Sequence, residues 1–514
     1  MKKWRINALL VVLLMVVAGC SDKEASTGGT SGSDSNDGTL VIAQASDVTT
    51  MDPQNSLSTT GDRVFRNMFS RLFYWDENME LQPEAAESYE QTDDTTWHFK
   101  LKEGITFHNG DPLTAEDVKY SLERVMTDDT LKEFPYFKQL KQVNVLDEHN
   151  VEIITDGPMP TMLNVLAKSG ADIIPKQHIE EVGMDEFIKN PIGSGPYKYV
   201  EWVRDDRVVM EPYEDYFNGT PKWKKVTVRA IPESSTRVGE LITGGVDVIT
   251  DVPPNEWARL DSETGVELVK GETTRVNLLM VRTTEGTVTA DPKVREAIDL
   301  AIDEQAIVDS LFQGNAVPVR TRVPKGVFGA NPDLYDTNVY DLDRAKKLLE
   351  EAGHPDGVDL TFTASKGRYP LDGEVAELIT AMLTEAGFNV NLKLLETSAF
   401  IEDYNANKNE ELIMIGLADG LLDASYSLVH YTKERAAGQT DYFNEEVENL
   451  YQEAGRNLND GERAKQYERI QEIVAEERPH IFLFQQGANY GIRDNVQFTP
   501  NLNEVIFFDD MDKK

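Results

Sequence analysis

The chain contains a single cysteine in 514 residues, Cys20, so no internal disulfide braces it. Positive charge is also scarce. Against 90 Asp and Glu there are 51 Lys and Arg, a formal net charge of −39, and such an excess repels nucleic acid phosphates and anionic lipid headgroups alike. The same acidity would keep an exported surface soluble in a salty or alkaline habitat. There are seven histidines (His98, His108, His149, His178, His354, His430 and His480), and no two stand at the spacing by which one helix presents two metal ligands. The sequence has no Gly-x-Ser-x-Gly elbow and no His-Glu-x-x-His. These gaps remove the common signatures of exported hydrolases, so neither an enzyme nor a cofactor is expected. No internal repeat and no long low-complexity segment interrupts the body of the chain.

The N-terminus begins with basic Met1-Lys2-Lys3-Trp4-Arg5, continues with an apolar run over 8–17, and ends in Ala18-Gly19-Cys20. That run is well short of the roughly 20 residues a spanning helix needs, and small residues precede a cleavage point, so it reads as a secretory signal over 1–19. Val17-Ala18-Gly19-Cys20 resembles a bacterial lipobox, which implies a diacylglyceryl thioether and N-acylation on Cys20. One acyl chain holds weakly and two or more hold well. The expected location is therefore the outer face of the bacterial cytoplasmic membrane. Residues 20–38 are Ser-, Gly-, Thr-, Asp- and Asn-rich, the composition of a flexible tether, and the folded body begins near residue 39.

With 40% hydrophobic residues over this length, the chain is too long for one compact core and should form at least two lobes. Leu40-Val41-Ile42-Ala43 is the first strand candidate. Trp97, Phe99 and Leu101, followed by Ile105 and Phe107 after Glu103-Gly104, alternate as a half-buried hairpin would. Thr114, with Asp117 three residues on, caps a predicted helix carrying Val118, Leu122 and Val125 on one face. Further on, a strand over 359–363, a helix over 373–386 ending at Gly387, and a strand over 389–395 spell a parallel βαβ unit, with a further strand over 411–416. Helices are predicted over 293–312, 342–352 and 462–477, and a buried strand at Ile481-Phe482-Leu483-Phe484.

Ala85-Ala86-Glu87-Ser88-Tyr89-Glu90, together with the run from Thr96-Trp97-His98-Phe99 through Phe107-His108-Asn109-Gly110-Asp111-Pro112-Leu113-Thr114-Ala115-Glu116-Asp117-Val118, resembles the signature of the large peptide- and nickel-type substrate-binding proteins of ABC importers. Gly193-Ser194-Gly195-Pro196-Tyr197-Lys198, Pro292-Lys293-Val294-Arg295-Glu296-Ala297-Ile298 and the segment Asp343-Arg344-Ala345 to Ala352-Gly353 are similar to other segments of that family. The likeness covers nearly the whole body. It implies an α/β, two-lobed periplasmic-binding-protein-like (Venus flytrap) fold. Lobe I would be 39–270 plus 481–514, with an extra subdomain over about 70–180, and lobe II would be 271–480.

The resemblance also implies a role: a monomer that captures a short peptide between its lobes and hands it to ABC permease subunits, and through them to an ATPase. Glutathione, nickel, haem or another metal complex, and peptide sensing, are the alternatives. Enclosing a peptide leaves its terminal charges in need of partners, a carboxylate for the amine and a guanidinium for the C-terminus. In the family's peptide binders an aspartate just after a lobe II strand holds the amine, in a segment resembling Gly416-Leu417-Ala418-Asp419-Gly420-Leu421-Leu422-Asp423. The register leaves Asp419 and Asp423 both open, because Leu417 stands where the family pattern has Trp and Gly420 where it has the aspartate. The run from Asp423 to Leu428 looks more like glutathione-type members. Arg368, at a strand end of the βαβ unit, is the candidate carboxylate partner, and Arg275 is a second. Trp257, Tyr369 and Tyr426 are aromatic candidates for stacking on ligand side chains. His430 is the histidine nearest the proposed site.

Overall fold

The computed structural model describes residues 38–408 and 410–513. The expected leader, Cys20 and all of the tether but Gly38 lie outside the described residues. Among the described residues no helix is long and apolar enough to cross a membrane.

Strand burial on two faces builds each lobe. In Thr39–Gln44, Leu40 and Ile42 enter one core while Ala43 enters the core on the opposite face, the alternation that a pleated strand imposes. Lys225–Ala230 and Val248–Ile249 pair with it in parallel, one on each side. Arg207–Pro212 and Tyr197–Val203 extend this first sheet antiparallel. The second lobe repeats the arrangement. Leu412 and Met414 of Leu412–Leu417 face one core and Ile413 and Ile415 the other, which accounts for an unbroken apolar run.

Two long strands join the halves. Val266–Val281 and His480–Arg493 pair antiparallel from Val266 opposite Arg493 to Met280 opposite His480, with a register shift between Glu272 and Val276. The first half of Val266–Val281 alternates between half-buried and exposed residues and its second half is mostly buried. One eleven-stranded sheet therefore runs through both lobes.

The βαβ unit forms as its pattern predicts: Val358–Lys366 pairs in parallel with Phe388–Glu396 across the helix Asp372–Ala386, which Gly387 ends at φ 110°. The helix Ala115–Thr127 begins at Thr114, whose amide donates to the Asp117 carboxylate at 2.9 Å. Two expectations are corrected. Thr96–Leu101 does not pair with Ile105 to Phe107. Its neighbours are Ala86–Asp93 and, from far along the chain, Asn150–Thr155, in a four-stranded antiparallel sheet completed by Leu140–Asp147. The helix expected over 293–312 is two, Pro292–Ala301 and Glu304–Phe312: Ile302 is extended, and the Asp303 side chain accepts from the Ala306 amide at 3.1 Å, offering the backbone a cap in place of continuation.

Candidate functional site

The helix Thr59–Met68 places Asp62 and Arg66 one turn apart on the same face, and the chain leaving it carries Arg71. The extra subdomain contributes Glu133 and Lys168. From the second lobe comes the loop after Leu412–Leu417, containing Asp419 and Tyr426. These side chains line one cavity of about 210 Å³, whose wall also includes Thr274 of the crossing strand and Glu504 near the C-terminus. The second-lobe wall is thus supplied at the carboxyl end of a sheet strand, where open α/β sheets present their ligand crevice.

The loop is held from both sides. The Asp419 amide donates to the Thr274 carbonyl and hydroxyl, each at 3.2 Å, which ties it to the crossing strand. Asn164 of the subdomain donates to the Leu421 carbonyl at 3.0 Å, and Leu421 itself packs into the subdomain's apolar core. Tyr136 and Tyr426 stack with ring centroids 5.0 Å apart. The cleft is therefore shut in this structure.

Asp419 is 1% exposed. Its Oδ2 accepts from the Ser427 hydroxyl at 2.6 Å and its Oδ1 from the Leu421 amide at 3.0 Å. Burial raises its pKa to about 6, against the Ser427 hydrogen bond and the positive charge of Arg322, which favour the ionised form. Asp62 accepts from the Ser169 hydroxyl at 2.5 Å, and burial pushes its carboxyl up despite Lys168. Each cation on the wall is already matched. Arg66 pairs with Glu84 at 2.8 Å, Arg71 with Asp172 at 2.8 Å, and Lys168 with Glu133 at 2.5 Å. Burial lifts Glu133 to about 8, with Lys168 opposing.

Of the residues expected at a site, Asp419 and Tyr426 line the cavity and the others stand elsewhere. Asp423 is employed inside the second lobe: it caps Ala424–Leu428 through the Ser425 amide at 3.0 Å and pairs with Arg463 at 2.5 Å. Arg368 is exposed, its Nε donating to the Tyr369 hydroxyl at 2.7 Å. Tyr369 in turn donates to the Gly416 carbonyl at 2.7 Å. Arg275 pairs at 3.5 Å with Glu504, itself a wall residue. Trp257 is 1% exposed in a first-lobe core, its indole donating to the Val252 carbonyl at 3.0 Å with Lys270 over its ring. His430 is buried beside His480, ring centroids 6.3 Å apart, and no histidine is on the cavity wall among the described residues. Nor do the described residues include a group of three or more His, Cys, Asp or Glu able to hold a metal.

Sequence reasoning missed Asp62, Arg66, Arg71, Glu133 and Lys168. Only Asp62 and Arg66 have a local signal, the charge-rich stretch Gly61-Asp62-Arg63-Val64-Phe65-Arg66 within one short helix.

Residues 80–439 match the family described as bacterial extracellular solute-binding proteins, family 5. The chain is 27% identical to the glutathione-binding protein GsiB of Salmonella typhi over 454 residues, covering 86% of this chain and 88% of that protein. Among solved structures it is similar to the ABC transporter-associated periplasmic binding protein DppA from Helicobacter pylori in complex with the peptide STSA, with a TM-score of 0.78 at 25% identity, covering 90% of this chain and 94% of that one. It also shares the fold of NikZ from Campylobacter jejuni in complex with Ni(L-His), with a TM-score of 0.78 at 23% identity, covering 91% of this chain and 97% of that one.

Proposed function

The chain belongs to the bacterial extracellular solute-binding proteins of family 5, non-enzymatic components of ABC importers, and from that premise we propose that it captures a short peptide through the free amine and delivers it to a membrane permease. The observation that carries the reading is Asp419: a buried carboxylate on the second lobe, facing a cavity closed by the first lobe and its subdomain, with hydroxyl and amide donors but no ion pair among the described residues. An ammonium supplies the charge such a carboxylate lacks, and closure over it excludes water from the pair. Ligand then favours the shut form by its contacts with both lobes, and the permease reads that shape.

In the same reading Cys20 carries the lipid that holds the mature protein at the outer membrane face, the tether to residue 38 gives it reach, and the protein acts as a monomer. Lobe I comprises 39–270 and 481–514 and lobe II comprises 271–480, with the extra subdomain over about 70–180. Arg368 and Arg275, bridged by Tyr369, lie 5.2 and 5.7 Å from its ring and form the reserve of positive charge for a peptide carboxylate. Glutathione is a second reading, favoured by the similarity to GsiB over most of both chains. It too presents a free amine.

Calorimetry with Ala-Ala and N-acetyl-Ala-Ala tests the role of the amine. Binding of the first alone is expected. Equal binding of both would remove Asp419 from recognition, and binding of glutathione or Ni(L-His) with no response to either peptide would replace the peptide reading.

A further inference from the structure

The cavity wall carries seven carboxylates (Asp62, Asp76, Glu77, Glu133, Asp419, Glu504 and Asp510) against three cationic side chains, Arg66, Arg71 and Lys168. The imbalance alone says little, since solvated carboxylates are inexpensive. What matters is how the buried groups are paired. All three cations are matched by a buried carboxylate of their own, Glu84, Asp172 and Glu133, so none is left for an anionic group on a ligand.

On the acidic side Asp76, Glu77 and Asp510, towards solvent, lack an ion pair among the described residues, and two carboxylates further in, Asp419 and Asp62, lack one as well. Asp419 has no ion pair among the described residues, and on the opposite wall Asp62 has only the Ser169 hydroxyl. Beside Asp62 stands Glu133, which is 0% exposed. Its Oε2 takes Lys168 and its Oε1 has no hydrogen-bond partner. A buried carboxylate oxygen left without a donor is costly, and here it belongs to a residue of the cavity wall. A peptide's single amine satisfies Asp419. The first-lobe pole needs a second donor carrying positive charge.

We propose, building on the peptide reading above, that the solute is a basic short peptide whose lysyl-, ornithyl- or arginyl-type side chain seats between Asp62 and Glu133 while its α-amine faces Asp419. The ammonium or guanidinium donates to the open Glu133 oxygen and to Asp62, and the two cationic groups bring the wall closer to neutrality.

Calorimetry with Lys-Ala and norleucyl-alanine tests this, since the two differ by the charged terminus on a side chain of similar length. Lys-Ala is expected to bind about tenfold tighter or more, the scale of one charge-assisted hydrogen bond. Asp62→Asn and Glu133→Gln should each compress that ratio, with melting temperature checked for folding. If norleucyl-alanine binds as tightly as Lys-Ala to the wild-type protein, the second cationic subsite is overturned and the peptide reading survives. If both peptides fail while cadaverine binds and Asp62→Asn weakens it, the subsite stands and the peptide reading falls. If neither the peptides nor cadaverine binds, both are overturned. Should both peptides bind with the expected ratio and neither variant compress it, the assignment to Asp62 and Glu133 is overturned.

Discussion

The Tyr136 hydroxyl donates to the Tyr426 hydroxyl at 3.0 Å, and the two rings stack at an interplanar angle of 17°. Tyr136 belongs to the extra subdomain and Tyr426 to the second-lobe loop that carries Asp419, so the pair is a latch across the cleft. Lys168 lies 4.6 Å over the Tyr136 ring, which joins the latch to the charged wall.

Tyr136→Ala removes the stack and the hydrogen bond at a residue that is not itself on the cavity wall. Such a pair contributes about 0.5–1.5 kcal/mol beyond its buried area. The expected result is a closed state weakened by roughly tenfold, read as faster ligand dissociation and a larger radius of gyration in small-angle scattering, with ligand-free stability little changed. Tyr136→Phe, which keeps the stack, should lie close to wild type. An unchanged dissociation rate in the alanine variant would remove the latch.

Ligand affinity should fall on acidification through pH 6. Asp419 must be ionised to receive an ammonium, and burial has raised it to about 6. From pH 7.5 to 5 a growing fraction of the protein is protonated there, and affinity drops by at most tenfold for each unit below the pKa. The sign for the ligand-free protein follows from the same shift. A carboxyl raised above its unfolded value adds stability at low pH, and that contribution is lost as pH rises through the window between about 4 and 6. Asp419→Asn should abolish most of the affinity and flatten the titration. Calorimetry of the wild type and this variant across pH 5–8 checks both.

The same loop shows where the sequence stops being informative. Asp419 and Asp423 sit four residues apart after one strand, and nothing local distinguishes them. The distinction is made by Arg463, forty positions further on, which claims Asp423 for the second lobe. The βαβ unit and the Thr114–Asp117 cap were legible because their partners are near in sequence and their periodicity is unambiguous. The strand Thr96–Leu101 misled because its second neighbour, Asn150–Thr155, is some fifty residues away, and alternation reports a buried face without naming the strand beside it. The cavity wall was least legible of all. Asp62, Glu133, Lys168 and Asp419 come from three separate parts of the fold, and buried charges carry no period.

The employment of Asp423 gives a prediction opposite in kind to that for Asp419. Its ion pair with Arg463 is buried on both sides, at 1% and 5% side-chain exposure. Removing Asp423 leaves the buried guanidinium only the exposed Asp460, 3.2 Å from its Nη2, and breaking such a pair costs about 3–5 kcal/mol. Asp423→Ala should therefore lower the melting temperature markedly, and any peptide-affinity loss should track the fraction folded. A normally stable Asp423→Ala protein with abolished binding would move Asp423 into the site.

The segment Gly193-Ser194-Gly195 makes the last prediction, because it shows what a family signature does physically. The Gly195 amide donates to the Met68 carbonyl at 3.0 Å, and the Ser70 hydroxyl donates to the Ser194 carbonyl at 3.0 Å. Against it lies the other signature segment, with the His108 amide donating to the Gly193 carbonyl at 2.8 Å. The first segment therefore clamps the end of the helix Thr59–Met68, from which Asp62, Arg66 and the following Arg71 reach the cavity, and the second braces the clamp from behind. The approach is too close for any side chain: a Cβ on Gly193 would stand 2.0 Å from the Met68 carbonyl oxygen. Gly193→Ala must push backbone from backbone, with no flexible side chain to give way, and the cost is about 2–4 kcal/mol, in the range of severe overpacking. Gly461→Ala is the contrast. That residue lies in the helix Asp460–Glu477, and its nearest neighbour to a new Cβ, the Asn459 side-chain oxygen, is 3.5 Å away. Alanine there gains helix propensity of about 0.5–1 kcal/mol. Thermal unfolding should show the two substitutions moving the midpoint in opposite directions. If Gly193→Ala melts like wild type, the clamp is not what holds that helix end in place.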